Sequence, residues 1–245
     1  MKTLLSVNLN AVAQLRNRRD LPWPSVVALG RQAMQAGAHG LTVHPRPDER
    51  HIRFSDLPQL RELLDKEFPQ GEFNIEGYPT EHFMELVQAN RPDQVTLVPD
   101  DPSQSTSDHG WDFTNSSQLL KETIDKLKQQ GFRVSIFVDA EPEAMQQAFD
   151  TGTDRIELYT GPYGACYDNP SAAKNEAMRL AATANAALKL GMAINAGHDL
   201  TVENMPGLKQ EFDDISEVSI GHGLTALALE CGMTEAVKRF LAVLG

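Results

Sequence analysis

Eight short segments rich in β-branched and apolar residues recur along the chain, and each gives way to a stretch with helical spacing. Strands alternating with helices predict βαβ units and a parallel sheet. Eight such units predict an α/β fold, a single (β/α)8 TIM barrel spanning residues 1–245, with its chemistry at the carboxyl ends of the strands. A chain of 245 residues suits one barrel, for which roughly 250 is typical. The clearest segments are Leu41-Thr-Val-His44-Pro-Arg46, Phe73-Asn-Ile-Glu76, Arg155-Ile-Glu157-Leu-Tyr-Thr160, Ala193-Ile-Asn195-Ala-Gly197-His198 and Val218-Ser-Ile-Gly221-His222. Each apolar run finishes in residues able to move protons or bind anions.

The pattern predicts strands over 4–9, 40–44, 73–76, 94–98, 133–139 and 155–159, a seventh ending at Asn195, and an eighth over 218–220. A polar, arginine-rich loop is expected from Arg16 to Asp20. Helices are expected after Pro22-Trp-Pro24-Ser25, from Ser55-Asp56, over 80–90, 116–130, 141–151 and 171–190, from near Val202, and from Thr225 to Leu244. Gly131, Gly152 and Gly191 each precede a strand, where a left-handed cap costs glycine no Cβ clash. The polar stretch 99–114 exceeds the ~12–15 residues usual for a loop in a compact domain, and is a candidate lid.

Net charge is −12. No basic face is therefore expected for nucleic acid or for anionic lipid. A small phosphorylated ligand stays open, because a binding site is local and net charge is global. The amino-terminal apolar stretch is too short for a signal peptide, which needs about 7–15 apolar residues, and no window reaches the ~20 of a membrane span. Cys166 and Cys231 lack metal-ligand spacing and cannot make a disulfide framework, so they read as reduced thiols of a cytoplasmic protein.

His44, Glu76, Glu157, His198 and His222 all fall at predicted strand ends. A carboxylate ending an apolar strand costs several kcal/mol to bury unpaired. Burial would raise its pKa and suit it to proton transfer; an ion pair with Arg155 or with an arginine at the mouth is the competing reading. The Gly-His turns at His198 and His222 follow the last two strands, a frequent phosphate site in such barrels. Arg16, Arg18, Arg19, Arg46 and Arg50 crowd the first two βα loops, and guanidinium suits phosphate. No lysine ends a predicted strand, which argues against a lysine Schiff base. No compact metal motif, P-loop or dinucleotide fingerprint appears, so nucleotide cofactors are unsupported, while His44, Glu76, Glu157, His198 and His222 could still meet around a metal.

These motifs, in this order, make the chain similar to the pyridoxine 5′-phosphate synthase family. The resemblance is carried by Val7-Asn8-Leu-Asn10-Ala11, Leu15-Arg16-Asn17-Arg18-Arg19, Thr42-Val-His44-Pro-Arg46, Arg50-His51-Ile52, Asn74-Ile-Glu76, Leu97-Val-Pro99, Ile156-Glu157, Thr160-Gly161, Asn195-Ala-Gly-His198 and Ile220-Gly221-His222. It implies condensation of two small phosphorylated substrates, 3-amino-2-oxopropyl phosphate and 1-deoxy-D-xylulose 5-phosphate, with no cofactor. His44 and Glu76 would accept protons, His198 would donate one, and Glu157 would stabilise charge. Asn8, Arg19, Gly221 and His222 would hold the amino-ketone; Arg46, His51 and Thr106 would hold the sugar phosphate. The family usually has Asp-His where this chain has Asn10-Ala11, and glycine where it has Asp199; both positions belong to the expected substrate site. The family also implies a homo-oligomer, an octamer. The other readings are a phosphosugar isomerase or epimerase on the same barrel, and a non-catalytic barrel that binds a phosphorylated metabolite.

Overall fold

The computed structural model describes residues 2–100 and 107–245. Strands β1 (Leu4–Asn8), β2 (Gly40–Val43), β3 (Glu72–Gly77), β4 (Gln94–Leu97), β5 (Arg133–Val138), β6 (Arg155–Tyr159), β7 (Ala193–Gly197) and β8 (Glu217–Ile220) close into a barrel in chain order. Every pairing is parallel, and β8 returns to β1 with Ser219 opposite Ser6. The expected TIM barrel is present.

Its helices are α1 (Asn10–Arg16), α2 (Val26–Gln35), α3 (Asp56–Glu67), α4 (Glu81–Asn90), α5 (Phe113–Gln129), α6 (Met145–Asp150), α7 (Gly161–Gly164), α8 (Pro170–Lys189), α9 (Met205–Glu211), α10 (His222–Cys231) and α11 (Met233–Leu244). Side-chain caps start several of them: Ser25 accepts from the Ala28 N–H, Thr80 from Phe83 and Asn169 from Ala172. Leucines 57, 60, 63 and 64 of α3 are buried, as their spacing predicts.

Several elements depart from the sequence reading, the short unexpected helix α7 among them. Helix α1 occupies the chain just before the arginine-rich stretch; it buries Val12 and Ala13 against the barrel, and only its last residue, Arg16, belongs to the expected loop. Strand β7 runs past Asn195 to Gly197, paired all the way along β6. The expected final helix is two helices, because Gly232 stands between them at φ 85° and ψ 154°, which no helix accommodates.

The outward strand residues pack on the helices through Val, Ile, Leu and Phe, many with no exposure at all. The interior of the barrel is polar instead. Ser6 and Thr42 hydroxyls bond at 2.6 Å, and the Thr96 hydroxyl donates to Asn74 Oδ1 at 3.1 Å. Toward the amino-terminal end, Arg133 donates to Gln94 and pairs with Glu72, while Arg155 donates to Asn195 and lies 3.6 Å from Glu217. Branched apolar side chains usually fill such a barrel; here hydrogen bonds must hold the layers in register.

Arg16 is not at the mouth. It forms a buried pair with Asp56 at 2.6 Å and donates to the His51 carbonyl, tying α1 to the loop before α3. Removing one partner of a buried pair strands the other charge. Asp56→Ala is expected to lower stability by about 3–5 kcal/mol in denaturant unfolding; a loss near zero would mean that water reaches Arg16. Among the described residues, no helix is long and apolar enough to cross a membrane.

Candidate active site

A cavity of about 290 Å³ opens at the carboxyl end of the barrel. His44, Glu76, Glu157, His198, Asn8, Asn10, Arg46, His51, Asp199, Gly221 and His222 line it, whereas Arg16, Arg18, Arg19 and Arg50 do not. Arg19 is exposed in the turn after α1, and Thr106 lies outside the described residues. Part of the candidate lid, 101–106, is likewise outside them. The lining also includes Gln14 and Ser107, which no motif contains.

The strands deliver the four candidate proton-handling groups from four directions. Glu76 is the fifth residue of β3 and Glu157 the third of β6; both point inward and are buried. Glu76 accepts a long bond, 3.4 Å, from Asn8 Nδ2. Glu157 Oε2 is buried without a hydrogen-bond partner among the described residues. A Cβ on Gly197 would stand 2.4 Å from its other oxygen, so any larger residue there would push the Glu157 carboxylate aside. Arg155, the competing ion-pair partner, sits at the other end of the strand and faces Asn195 and Glu217.

Two buried carboxyls around one cavity cannot both ionise cheaply. Burial, then the charges of Glu157 and Asp100, push Glu76 well above its ordinary value, against the pull of Arg46 and Asn8. Burial pushes Glu157 up to about 7. Near neutral pH the pair holds a proton that water would have removed, the condition for a proton shuttle.

The imidazoles move the opposite way. Burial and the charges of Arg46, His51, His198 and Arg50 hold His44 well below the usual histidine range, which favours the neutral imidazole. Burial and Arg46 lower His51 to about 4. Burial also lowers His198, against the raising influence of Asp199 and of a backbone bond at Gly197. The His198 ring meets Tyr159 edge-on at 5.3 Å and Phe137 at 5.0 Å, and its buried Nδ1 has no partner among the described residues.

Local backbone explains how these rings are aimed. The His44 N–H donates to Asn10 Oδ1 at 2.9 Å, and the Asn10 N–H donates to Asn8 Oδ1, so β1 and α1 hold the end of β2. An amide does this as well as a carboxylate, without adding negative charge beside Glu76. His198 (φ 85°) and Asp199 (φ 53°) are consecutive left-handed residues, a conformation costing non-glycine residues on the order of 1–3 kcal/mol. Asn204 Nδ2 holds the Asp199 carbonyl, and Asp199 itself is exposed at the cavity rim. Opposite, Gly221 precedes α10, and a Cβ there would crowd Asn8 at 3.2 Å.

A second cavity, about 320 Å³, shares His44 and Arg46 with the first and continues over Pro45, Tyr78, Phe83 and Leu86. The Arg46–Asp100 ion pair stands at the junction. Among the described residues, no three His, Cys, Asp or Glu side chains are grouped to hold a metal.

Known proteins of similar fold include the BexX/CysO complex of Amycolatopsis orientalis, with a TM-score of 0.63 at 14% identity over 99% of this chain and 88% of that one. N-(5′-phosphoribosyl)anthranilate isomerase from Pyrococcus furiosus gives 0.60 at 12%, over 99% and 98%. Identity this low supports the fold alone. Sequence relatives are much nearer. Pyridoxine 5′-phosphate synthase of Rhizobium meliloti (strain 1021) is 63% identical over 100% of this chain and 99% of its own length. The synthase of the same name from Brucella anthropi is 62% identical over the whole of both chains. The family described as "Pyridoxal phosphate biosynthesis protein PdxJ" matches residues 5–245. With its barrel closed and its strand-end residues converging on one cavity, the chain belongs to this family of enzymes.

Proposed function

We propose that this protein is a pyridoxine 5′-phosphate synthase that condenses 3-amino-2-oxopropyl phosphate with 1-deoxy-D-xylulose 5-phosphate, closing the pyridine ring with loss of inorganic phosphate and water. The observation that carries the reading is the buried pair Glu76 and Glu157, set in one cavity with two buried imidazoles in a chain this similar to named synthases. The substrate amine attacks the sugar ketone and forms the imine itself, so the enzyme needs no lysine at a strand end. His44, neutral through burial, accepts a proton from the substrate carbon framework, and Glu76 accepts a second. Glu157 steadies the cationic imine as its own proton leaves. His198 donates to a departing oxygen: two bound phosphate dianions raise its pKa and charge it when the substrates arrive.

Asn8, Arg19, Gly221 and His222 hold the amino-ketone phosphate, with the α10 amino terminus contributing its dipole. Arg46, His51 and Thr106 hold the sugar phosphate. Asn10 and Asp199 border these half-sites. Arg19 must swing inward from its exposed turn to take part. The same reading makes the protein a cytoplasmic homo-oligomer, an octamer by resemblance, with no metal or organic cofactor.

The two phosphorylated substrates, supplied together and singly, test the reading. Pyridoxine 5′-phosphate, identified by mass and ultraviolet absorbance, is expected only with both. Conversion of the sugar phosphate alone into an isomer would replace this reading with the isomerase one.

A further inference from the structure

Asp100 is the third residue beyond β4, placed after Pro99 and outside every motif used so far. Its carboxylate is buried and forms an ion pair with Arg46, the two side chains 5% and 3% exposed. The same oxygen, Oδ2, accepts from the Ser107 hydroxyl at 2.8 Å and lies 3.7 Å from His44 Nε2. The last distance is too long for a hydrogen bond but short enough for charge to be felt. One carboxylate oxygen thus faces the arginine assigned to the sugar phosphate and the histidine assigned as base.

We propose that Asp100 is an internal counter-anion that competes with the sugar phosphate for Arg46 and weakens the grip of that half-site. The proposal rests on the assignment of Arg46 under the proposed function and adds a specificity-determining residue to it. A phosphate dianion brought against Arg46 meets a carboxylate already bonded to the same guanidinium. In a buried setting two anions sharing one cation repel strongly, so Asp100 must turn away or take a proton. Burial already biases it toward the protonated form, against the pull of Arg46 and Ser107. Either response subtracts from binding. The pairing also limits how far the Arg46 cation can depress His44, on which its charge is the strongest acting. A base beside a bare guanidinium would be too weak, so the enzyme gives up affinity and keeps basicity.

Asn at position 100 separates charge from geometry, because its amide oxygen can still accept from Arg46 and Ser107. The full-length protein, its Asp100→Asn variant and an Arg46→Gln variant would be titrated calorimetrically with 1-deoxy-D-xylulose 5-phosphate alone. Steady-state kinetics and melting temperatures would accompany the titration. Asp100→Asn is expected to bind the sugar phosphate about tenfold more tightly, to lower KM for it, and to leave kcat equal or reduced. Arg46→Gln is expected to abolish binding. If Asp100→Asn melts like the parent and binds the sugar phosphate equally or less tightly, while Arg46→Gln still loses it, the competition is refuted and the Arg46 assignment stands. If Arg46→Gln binds normally, that assignment falls and the competition with it. A structural role alone would give Asp100→Asn no gain in affinity.

Discussion

Glu76→Gln is expected to lower kcat by about 10²–10⁴-fold, the contribution typical of a positioned acid or base, while the protein stays folded. The amide keeps the shape of the side chain and can still face Asn8, but it cannot accept a proton. Stability should hold or rise, because the substitution removes a carboxyl that burial and Glu157 both penalise. Single-turnover kinetics beside a thermal melt would check both halves. Unchanged turnover would take Glu76 out of the chemistry and leave His44 as the only base.

Glu157→Gln should separate stability from activity even more sharply, and in a pH-dependent way. Burial raises Glu157 from 4.5 to about 7. Between those values the folded protein keeps a proton that the unfolded chain has released, so stability falls as pH rises through the interval and the loss is complete above it. The amide has no such loss. The variant should therefore exceed the parent by about 3 kcal/mol at pH 8 and match it near pH 4, while synthase activity drops. Denaturant unfolding at the two pH values measures this directly. A gain of the same size at both would mean that packing, not the proton, sets the effect.

Much of the barrel was readable from the pattern of apolar runs. Strand β6 falls on 155–159 as expected, because its two faces are both buried and Thr153 and Thr160 bound it closely. What escaped has local causes. Helix α1 opens on Asn10 after a Leu9 cap that makes no side-chain bond, so it carries no start signal. Helix α7 is four residues of glycine, proline and tyrosine, too few for any period. The catalytic candidates were legible because ionisable residues at the ends of apolar strands are costly and therefore conspicuous. The partners were not. Asp56 for Arg16, Asp100 for Arg46 and Asn10 for the His44 backbone lie 40, 54 and 34 residues away, and only the closed barrel brings them together.

Closure has one more consequence. The hydrogen bonds between β8 and β1 join the first strand to the last, and the proposed proton chemistry is divided between the halves they seal. His44 and Glu76 arrive with the first four strands, Glu157 and His198 with the last four. On the proposed roles, a nascent chain holding only the first half carries bases without an acid; the second half carries the reverse. Neither half, expressed alone, should turn over substrate, and mixing the two should restore activity in step with their docking. On the proposed roles, catalysis belongs to the completed ring and to neither half of it.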